Sequence, residues 1–253
     1  MDSGEGCYIY GVIATDDQRE FGPIGIGGRG DRVYTLPDHN VATIISRSPI
    51  KKYPVARDTV MAHAKVLERV GEEYTVLPVR FSTIAADEQT IVEKLLRMRR
   101  QEFLDLSRTM EGKLELGVRA RWIDMEAIFA ELVEENNDIK ALKEASQRER
   151  NAQRKYADLV RVGELVQSAL KEKKRKEANE LLDAFIPFST QWKEMQIYGD
   201  MNIVSAAFLV DRENESCFDQ KVNEIRRLQE KRKQLRYTVS PVAYNFVELV
   251  VTW

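Results

Sequence analysis

The stretch LELGVRARWID, residues 114–124, gives the clearest indication of fold in this chain of 253 residues. Apolar side chains occupy every second position from Leu114, and Arg119 and Arg121 lie between them. A period of two is that of a β-strand with one buried side and one side facing solvent. From Asp124 onward the apolar residues are spaced as on one face of a helix. The stretch therefore predicts a strand followed directly by a helix.

The rest of the second half extends this pattern. Its predicted elements are a charged helical extension at about 136–186, a strand pair in STQWKEMQIYGD (189–200) and MNIVSAAFLVDR (201–212), an amphipathic helix at 216–235, and a last strand region at 235–250 bent at Pro241. Without the extension, the order is strand, helix, strand, strand, helix, strand. That order is the ferredoxin-like plan, βαββαβ.

The first half predicts a separate mixed unit. Its predicted elements are a strand at 7–14, a glycine-rich loop at 22–30, a hairpin at 32–46, a helix at 55–71, a strand at 74–81 and a helix at 87–111. We therefore predict an α+β protein of two domains. The N-terminal α+β domain spans 1–111, and the C-terminal ferredoxin-like domain, with its inserted charged helical extension and a C-terminal tail, spans 112–253.

Composition excludes several classes of partner. The 39 basic and 41 acidic residues give a net charge of −2, so no overall basic field attracts nucleic acid. The apolar run NIVSAAFLV, 202–210, is too short to cross a bilayer, and the N-terminus does not have the pattern of a signal peptide. Cys7 and Cys217 match no metal spacing and predict no disulfide. We expect a cytoplasmic protein with no lipid membrane and no nucleic acid among its partners.

Three motifs have simpler interpretations than catalysis. GIGGRG, residues 25–30, matches a dinucleotide-binding fingerprint but leads into a strand, so its glycines are expected to serve backbone turns. His39 and His63 are predicted in a turn and on a helix, and neither has a ligand at metal spacing, so we expect surface or capping roles. KEKKRK, residues 171–176, is expected to be a solvated helix face. We therefore expect no cofactor, no metal and no catalytic residues.

Arg80 is the least expected residue of YTVLPVRFSTIAADEQ, residues 74–89, because it follows an apolar strand. It either pairs with a carboxylate or caps carbonyl groups where the strand meets the next helix, or it projects at the end of a sheet and holds a partner. Neither interpretation requires chemistry on a small molecule. The sequence leaves both open.

Six segments in order resemble the gas vesicle protein F/L family (GvpF/GvpL), most closely its F-type member. They are GVIA (11–14) with GIGG (25–28), VMAHAKVLERV (60–70), LPVRFST (77–83), ELGVRARW (115–122), AAFLVDRENESCFDQKV (206–222) and SPVAYNFVEL (240–249). The last segment departs from the family, whose members often have Gly-Pro-Trp-Pro-Pro-Tyr where this chain has Ser-Pro-Val-Ala-Tyr.

The resemblance implies a non-enzymatic minor structural or assembly component of gas vesicles, the buoyancy organelles. Its implied partners are the small hydrophobic shell protein and other gas vesicle accessory proteins, and its implied location is the vesicle shell within the cytoplasm. It implies two α+β domains, the second ferredoxin-like. Because sheet edges accept partner strands, we expect the shell protein to bind either the sheet around SPVAYNFVEL, with Tyr244 and Phe246, or an edge near residues 79–81, with Arg80 and Phe81.

Two alternatives remain open. A ferredoxin-like domain that senses a ligand or catalyses a reaction would need a pocket with convergent polar groups. A regulator that binds nucleic acid through residues 171–176 would lose affinity steeply with salt.

Overall fold

A computed structural model describes residues 4–253. The strands are β1 (Glu5–Ile13), β2 (Glu20–Gly22), β3 (Val33–Pro37), β4 (Ala42–Pro49), β5 (Leu77–Ala85), β6 (Lys113–Trp122), β7 (Gln191–Glu194), β8 (Asn202–Asp211) and β9 (Lys233–Ser240). The helices are α1 (Arg57–Gly71), α2 (Glu88–Ile91), α3 (Arg97–Met110), α4 (Met125–Glu135), α5 (Asn137–Arg148), α6 (Ala152–Phe185) and α7 (Glu215–Gln229). The protein is thus a mixed α and β chain with two antiparallel sheets.

The chain forms two compact units. The first contains the described residues up to Leu116 together with Leu209–Arg212 and Val239–Trp253, and the second contains Gly117–Phe208 and Glu213–Thr238. Residues 239–253, which the sequence analysis assigned to the C-terminal domain, therefore lie in the first unit. The predicted boundary at residue 112 is a claim about which parts of the chain fold independently. It therefore stays a prediction.

The sheet of the first unit has the strand order β2-β3-β4-β1-β5. The predicted hairpin is present as β3 and β4, with Pro37 paired to Ala42. His39 and Asn40 both have positive φ, 47° and 65°. Two such residues between paired strands make the turn type whose twist matches that of a hairpin. His39 is thus in a turn, as predicted.

Helices lie on both faces of this sheet. Successive side chains of β1 point to opposite faces and therefore pack against different helices. Cys7 and Ile9 belong to one hydrophobic cluster, which includes Leu95 and Phe103 from the helices after β5. Tyr8 and Tyr10 belong to a second cluster, which includes Val66 and Leu67 of α1. The strand is therefore buried on both sides, as the apolar run at 7–14 indicates.

The sheet of the second unit has the strand order β7-β8-β6-β9. Helices α4, α5 and α6 connect β6 to β7, and α7 connects β8 to β9. The predicted extension, 136–186, is helical as α5 and α6. The buried residues of α6 lie in its second half and are Leu170, Glu177, Ala178, Leu181, Leu182 and Phe185. Its first half is largely exposed, with Leu159 51% exposed.

The last strand ends earlier than predicted. β9 stops at Ser240 because Pro241 has no N–H to donate to a ladder, and the Ser240 hydroxyl then accepts a hydrogen bond from the Val242 N–H. Beyond this turn, one residue, Leu249, forms an isolated bridge to Val79. The prediction of a strand region reaching residue 250 is therefore wrong, and we call residues 241–253 the C-terminal tail.

Candidate partner-binding site at the edge of β5

β5 bulges where the sequence places Arg80. Pro78 pairs with Gly11 of β1, whereas Thr83 pairs with Ile9, so residues 79–82 lie opposite Tyr10 alone. Because of this bulge, pairing resumes after Ser82 and β5 runs to Ala85, further than the predicted end at residue 81. The bulge breaks the regular alternation of the strand, which directs Arg80 outward and Phe81 toward α1.

Ser82 fixes the shape of the bulge. Its φ is +66°, a conformation uncommon for residues other than glycine. The Ser82 N–H donates to the hydroxyl of Tyr8 at 2.9 Å, and its own hydroxyl accepts from the Tyr53 N–H at 2.9 Å. The Thr83 hydroxyl donates to the Arg80 carbonyl at 2.6 Å. Specific hydrogen bonds to side chains thus hold a backbone conformation that a plain strand would not adopt.

Arg80 itself is exposed and paired. Its guanidinium donates to the carboxylate of Glu248 at 3.1 Å, and both side chains are more than half exposed. This hydrogen bond raises the pKa of the Arg80 guanidinium. Arg80 thus pairs with a carboxylate, as the first interpretation has it, but that carboxylate lies at Glu248 and not where β5 meets the next helix. The arginine lies outside the core, where water or a partner can reach it.

The C-terminal tail covers the free edge of β5. The Leu249 N–H donates to the Pro78 carbonyl at 2.9 Å, and the Arg80 N–H donates to the Leu249 carbonyl at 3.0 Å. Further along, the Trp253 indole N–H donates to the Ile84 carbonyl at 2.9 Å. An edge strand with unpaired backbone groups is a template for other strands, and here the chain itself occupies part of it.

Glu115 anchors the tail before it reaches β5. This buried carboxylate accepts from the Asn245 backbone N–H at 2.7 Å and from its side-chain amide at 2.6 Å. A buried carboxylate needs such donors, because burial without them is costly. Asn245 is therefore held from within the unit, whereas residues after Phe246 are held at the edge of β5.

The structure brings two of the three predicted aromatic residues together. Phe81 and Tyr244 both pack, half-buried, against the cluster that includes Tyr8 and Tyr10. The Tyr244 hydroxyl lies 3.5 Å from the Ala64 carbonyl oxygen, and burial raises the pKa of this tyrosine. Phe246 packs, also half-buried, against the other cluster. The predicted aromatic residues therefore pack against two different clusters and do not form one flat patch with Arg80.

Comparison with known proteins identifies the family. A sequence model described as gas vesicle synthesis protein GvpL/GvpF matches residues 6–248. The chain belongs to this family. The match covers both compact units and the C-terminal tail up to Glu248, and it confirms the resemblance carried by the six quoted segments.

Individual relatives span the same length. The chain is 24% identical over 246 residues to gas vesicle protein F of a Nostoc species, with 96% of this chain and 98% of the relative covered. It is 28% identical over 246 residues to gas vesicle protein F of a Streptomyces species, with 95% and 99% covered. A crystal structure of GvpF from an Anabaena species superposes with a TM-score of 0.82 at 24% identity, covering 97% of this chain and 99% of that chain. GvpF from Microcystis aeruginosa gives 0.76 at 23% identity, covering 96% and 99%. These structures support the fold.

His63 is a core residue of this family member, which corrects the expected surface or capping role. It is 7% exposed, and its Nδ1 lies 3.0 Å from the Tyr8 hydroxyl. Phe81 meets its ring edge-on, with centroids 5.6 Å apart. Burial lowers the pKa of His63 to about 4, so the ring is neutral at neutral pH. Histidine, tyrosine and serine side chains here satisfy one another and support the bulge.

The glycine-rich loop has the structural role that its sequence indicates. Gly27, Gly28 and Gly30 have positive φ, and the loop leads into β3. The Ile26 N–H donates to the Tyr10 hydroxyl at 2.7 Å, which ties the loop to the same cluster. Within residues 4–253, no group of three or more His, Cys, Asp or Glu side chains is arranged to hold a metal ion. No helix among these residues is long and apolar enough to span a membrane.

Sequence reasoning missed the partners of Ser82 and of Arg80. Ser82 and Tyr8 are 74 residues apart, and Arg80 and Glu248 are 168 apart. The sequence does place a small polar residue, Ser82, after Arg80 and Phe81, but β5 continues past it to Ala85. Tertiary contacts decide which residue accepts the hydrogen bond from the Ser82 N–H and which segment covers the edge of β5. No local sequence pattern encodes these contacts.

Proposed function

We propose that this chain is a non-enzymatic minor structural or assembly component that binds the small hydrophobic shell subunit while gas vesicles form. Its membership of the family over residues 6–248 carries this proposal. We place the protein at the vesicle shell within the cytoplasm, alongside other gas vesicle accessory proteins. A shell that keeps out liquid water requires subunits with a large apolar face, and such subunits aggregate unless a soluble protein shields them.

The contact surface in this proposal is the edge of β5 with Arg80, Phe81, Tyr244 and Phe246. A strand of the shell subunit would replace the two backbone hydrogen bonds that Leu249 makes with Pro78 and Arg80, a mode of recognition known as strand addition. The tail is also held there by the Arg99 guanidinium, which donates to the Val250 carbonyl at 2.8 Å, and by the Trp253 indole, whereas the exposed ion pair between Arg80 and Glu248 adds little. Leu249 is also only 2% exposed and belongs to a hydrophobic cluster, so a partner strand would have to displace it while Asn245 stays anchored to Glu115.

For the second unit we propose the ferredoxin-like plan. The strand order β7-β8-β6-β9, with helices between β6 and β7 and between β8 and β9, supports this assignment. We also propose that residues 1–111 and 112–253 fold as two domains, with α5 and α6 inserted in the second.

The test of the contact surface is retention of the purified shell subunit by the full chain. We expect Arg80→Ala, Tyr244→Ala and Phe246→Ala to weaken retention, and removal of residues 249–253, which frees the backbone groups of Pro78 and Arg80, to strengthen it. Arg108→Ala is the matched control, because Arg108 is an exposed arginine paired with Asp105 on α3. Unchanged retention in correctly folded variants would reject these contact residues and leave the vesicle role standing.

The vesicle role has its own test. Antibody against this chain should detect it on washed vesicles, and comparison of intact with collapsed vesicles would show whether it faces the cytosol or the gas. Normal flotation of cells that lack the protein would contradict the role itself.

A further inference from the structure

The second unit carries three arginines on one side of its sheet. Arg119 and Arg121 of β6 are exposed between the buried residues Val118, Ala120 and Trp122. Because alternate residues of a strand point to the same side, the two arginines share the face opposite to the buried one. Arg236 of β9 is likewise exposed next to the buried Leu235.

Three contacts set the register between β6 and β9. The Ile123 N–H donates to the Arg232 carbonyl at 3.0 Å, and Arg121 Nε donates to the Gln234 side chain at 2.7 Å. At the other end, a Cβ on Gly117 would lie 2.5 Å from the hydroxyl oxygen of Thr238. Moving two residues along each antiparallel strand from the pair formed by Arg121 and Gln234 places Arg119 opposite Arg236.

This juxtaposition is unfavourable unless an anion is present. Like charges directly opposite each other on neighbouring strands destabilise a sheet. Throughout residues 4–253, no carboxylate forms an ion pair with Arg119, Arg121 or Arg236, whereas Arg232 in the same unit pairs with both Glu131 and Glu177. We call Arg119, Arg121 and Arg236 the arginine face. It contains three uncompensated guanidinium groups.

The arginine face also forms a cavity. It has a volume of about 170 Å³ and is lined by the three arginines with Ala120, Asn202 and Gln234. Sites for drug-sized ligands are larger, about 300–1,000 Å³. The cavity therefore fits one or two short side chains, and its lining offers mainly hydrogen-bond donors.

We propose that the arginine face binds an acidic segment of a partner polypeptide, with its carboxylates paired to the guanidinium groups. Arginine matches the planar carboxylate with two parallel hydrogen bonds, which gives the contact geometric specificity. A nucleic acid fits less well, because the net charge of the chain is −2 and no aromatic side chain lines the cavity for base stacking. This inference concerns the second unit and is independent of the proposed contact at β5.

The test is binding of a labelled oligoglutamate peptide to the full chain, measured by fluorescence anisotropy. We expect Arg119→Gln/Arg236→Gln to lower the affinity by about tenfold or more, because each hydrogen bond between charged partners contributes substantially. The matched control is Arg154→Gln/Arg161→Gln, which removes the same charge from exposed positions of α6 and should leave the affinity within about twofold.

Each other outcome overturns the proposal. An equal loss in both double variants would show a non-specific effect of net charge. No loss in the arginine-face variant, at unchanged thermal stability, would show that these arginines do not bind carboxylates. Tighter binding of single-stranded polyuridylate that depends on Arg119 and Arg236 would identify the face as a phosphate-binding surface.

Discussion

At the scale of single residues, the bulge of β5 depends on one hydroxyl. Tyr8 is fully buried and its hydroxyl accepts from the Ser82 N–H while bonding to His63. We expect Tyr8→Phe to destabilise the protein by about 1–3 kcal/mol, because the half-buried Ser82 N–H and the buried His63 each lose a partner. Tyr156→Phe is the control: Tyr156 is 71% exposed, and its change should stay within about 0.5 kcal/mol. Urea unfolding of both variants measures the difference, and equal effects would contradict this role of Tyr8.

His63 predicts a pH dependence. Its pKa is about 4 in the folded protein because it is buried, against 6.5 in the unfolded chain. Between these values the unfolded chain binds the extra proton, so stability falls as the pH falls through this window and is fully present above it. From about pH 7.5 to about pH 5, the wild type should lose roughly 2 kcal/mol more unfolding free energy than His63→Gln. Comparison with the variant cancels the titration of carboxylates elsewhere, and parallel pH curves would contradict the assignment.

At the scale of elements, the C-terminal tail depends on its anchor. We expect Asn245→Ala to speed hydrogen exchange of the Arg80 and Leu249 amides, because the tail then loses the side-chain amide bond to Glu115, keeps only the backbone one, and leaves the edge of β5 more often. Asn223→Ala on the exposed side of α7 is the control and should leave both amides unchanged. Exchange rates that do not respond to Asn245→Ala would show that the edge contacts hold the tail without this anchor.

A charged cluster joins α6 to the sheet of the second unit. Glu177 accepts from the Trp122 indole at 2.9 Å, from Arg232 at 2.7 Å and from Lys233 at 2.9 Å. Burial alone would raise the pKa of Glu177, but these hydrogen bonds outweigh it and hold the pKa below its usual value. We expect Glu177→Ala to cost about 3–5 kcal/mol, since it leaves the buried Lys233 charge without a partner.

The control for this cluster is an exposed pair. Glu144 and Arg148 form an exposed pair one helical turn apart on α5. Glu144→Ala should cost no more than about 0.5 kcal/mol by urea unfolding. A similar cost for Glu144→Ala and Glu177→Ala would contradict the view that burial makes the Glu177 cluster important.

Local sequence patterns predicted most helices and strands, because the conformation of each of these elements depends largely on residues close to it in sequence. The alternation around Trp122 fixed β6, and Asp38, His39 and Asn40 signalled the hairpin turn. The bulge and the tail were not predictable, because Ser82 and Leu249 take their conformations from distant partners. The prediction that His63 lies at the surface or in a cap is wrong for a related reason. A single histidine on a helix gives no sign of the Tyr8 hydroxyl that allows it to be buried.

At the scale of the whole molecule, the nearly equal numbers of basic and acidic residues conceal a local excess of positive charge. A net charge of −2 indicates no basic field, yet Arg119, Arg121 and Arg236, which have no carboxylate partner among residues 4–253, share one sheet face of the second unit. The overall composition argues against a general attraction for nucleic acid, but it does not locate the arginine face. The family and the fold followed from ordered segments along the whole chain, whereas both proposed contact surfaces required the three-dimensional pairing of residues.

The two borders of the first sheet affect how the protein behaves at high concentration. One border, β2, has only three residues, and the other, β5, is distorted and partly occupied by the chain's own end. Neither border offers a long straight template to a second copy, which lowers the tendency of this sheet to pair edge to edge with another copy. For the role that we propose beside a self-assembling shell subunit, this property would let the protein touch the array without becoming one of its repeating parts.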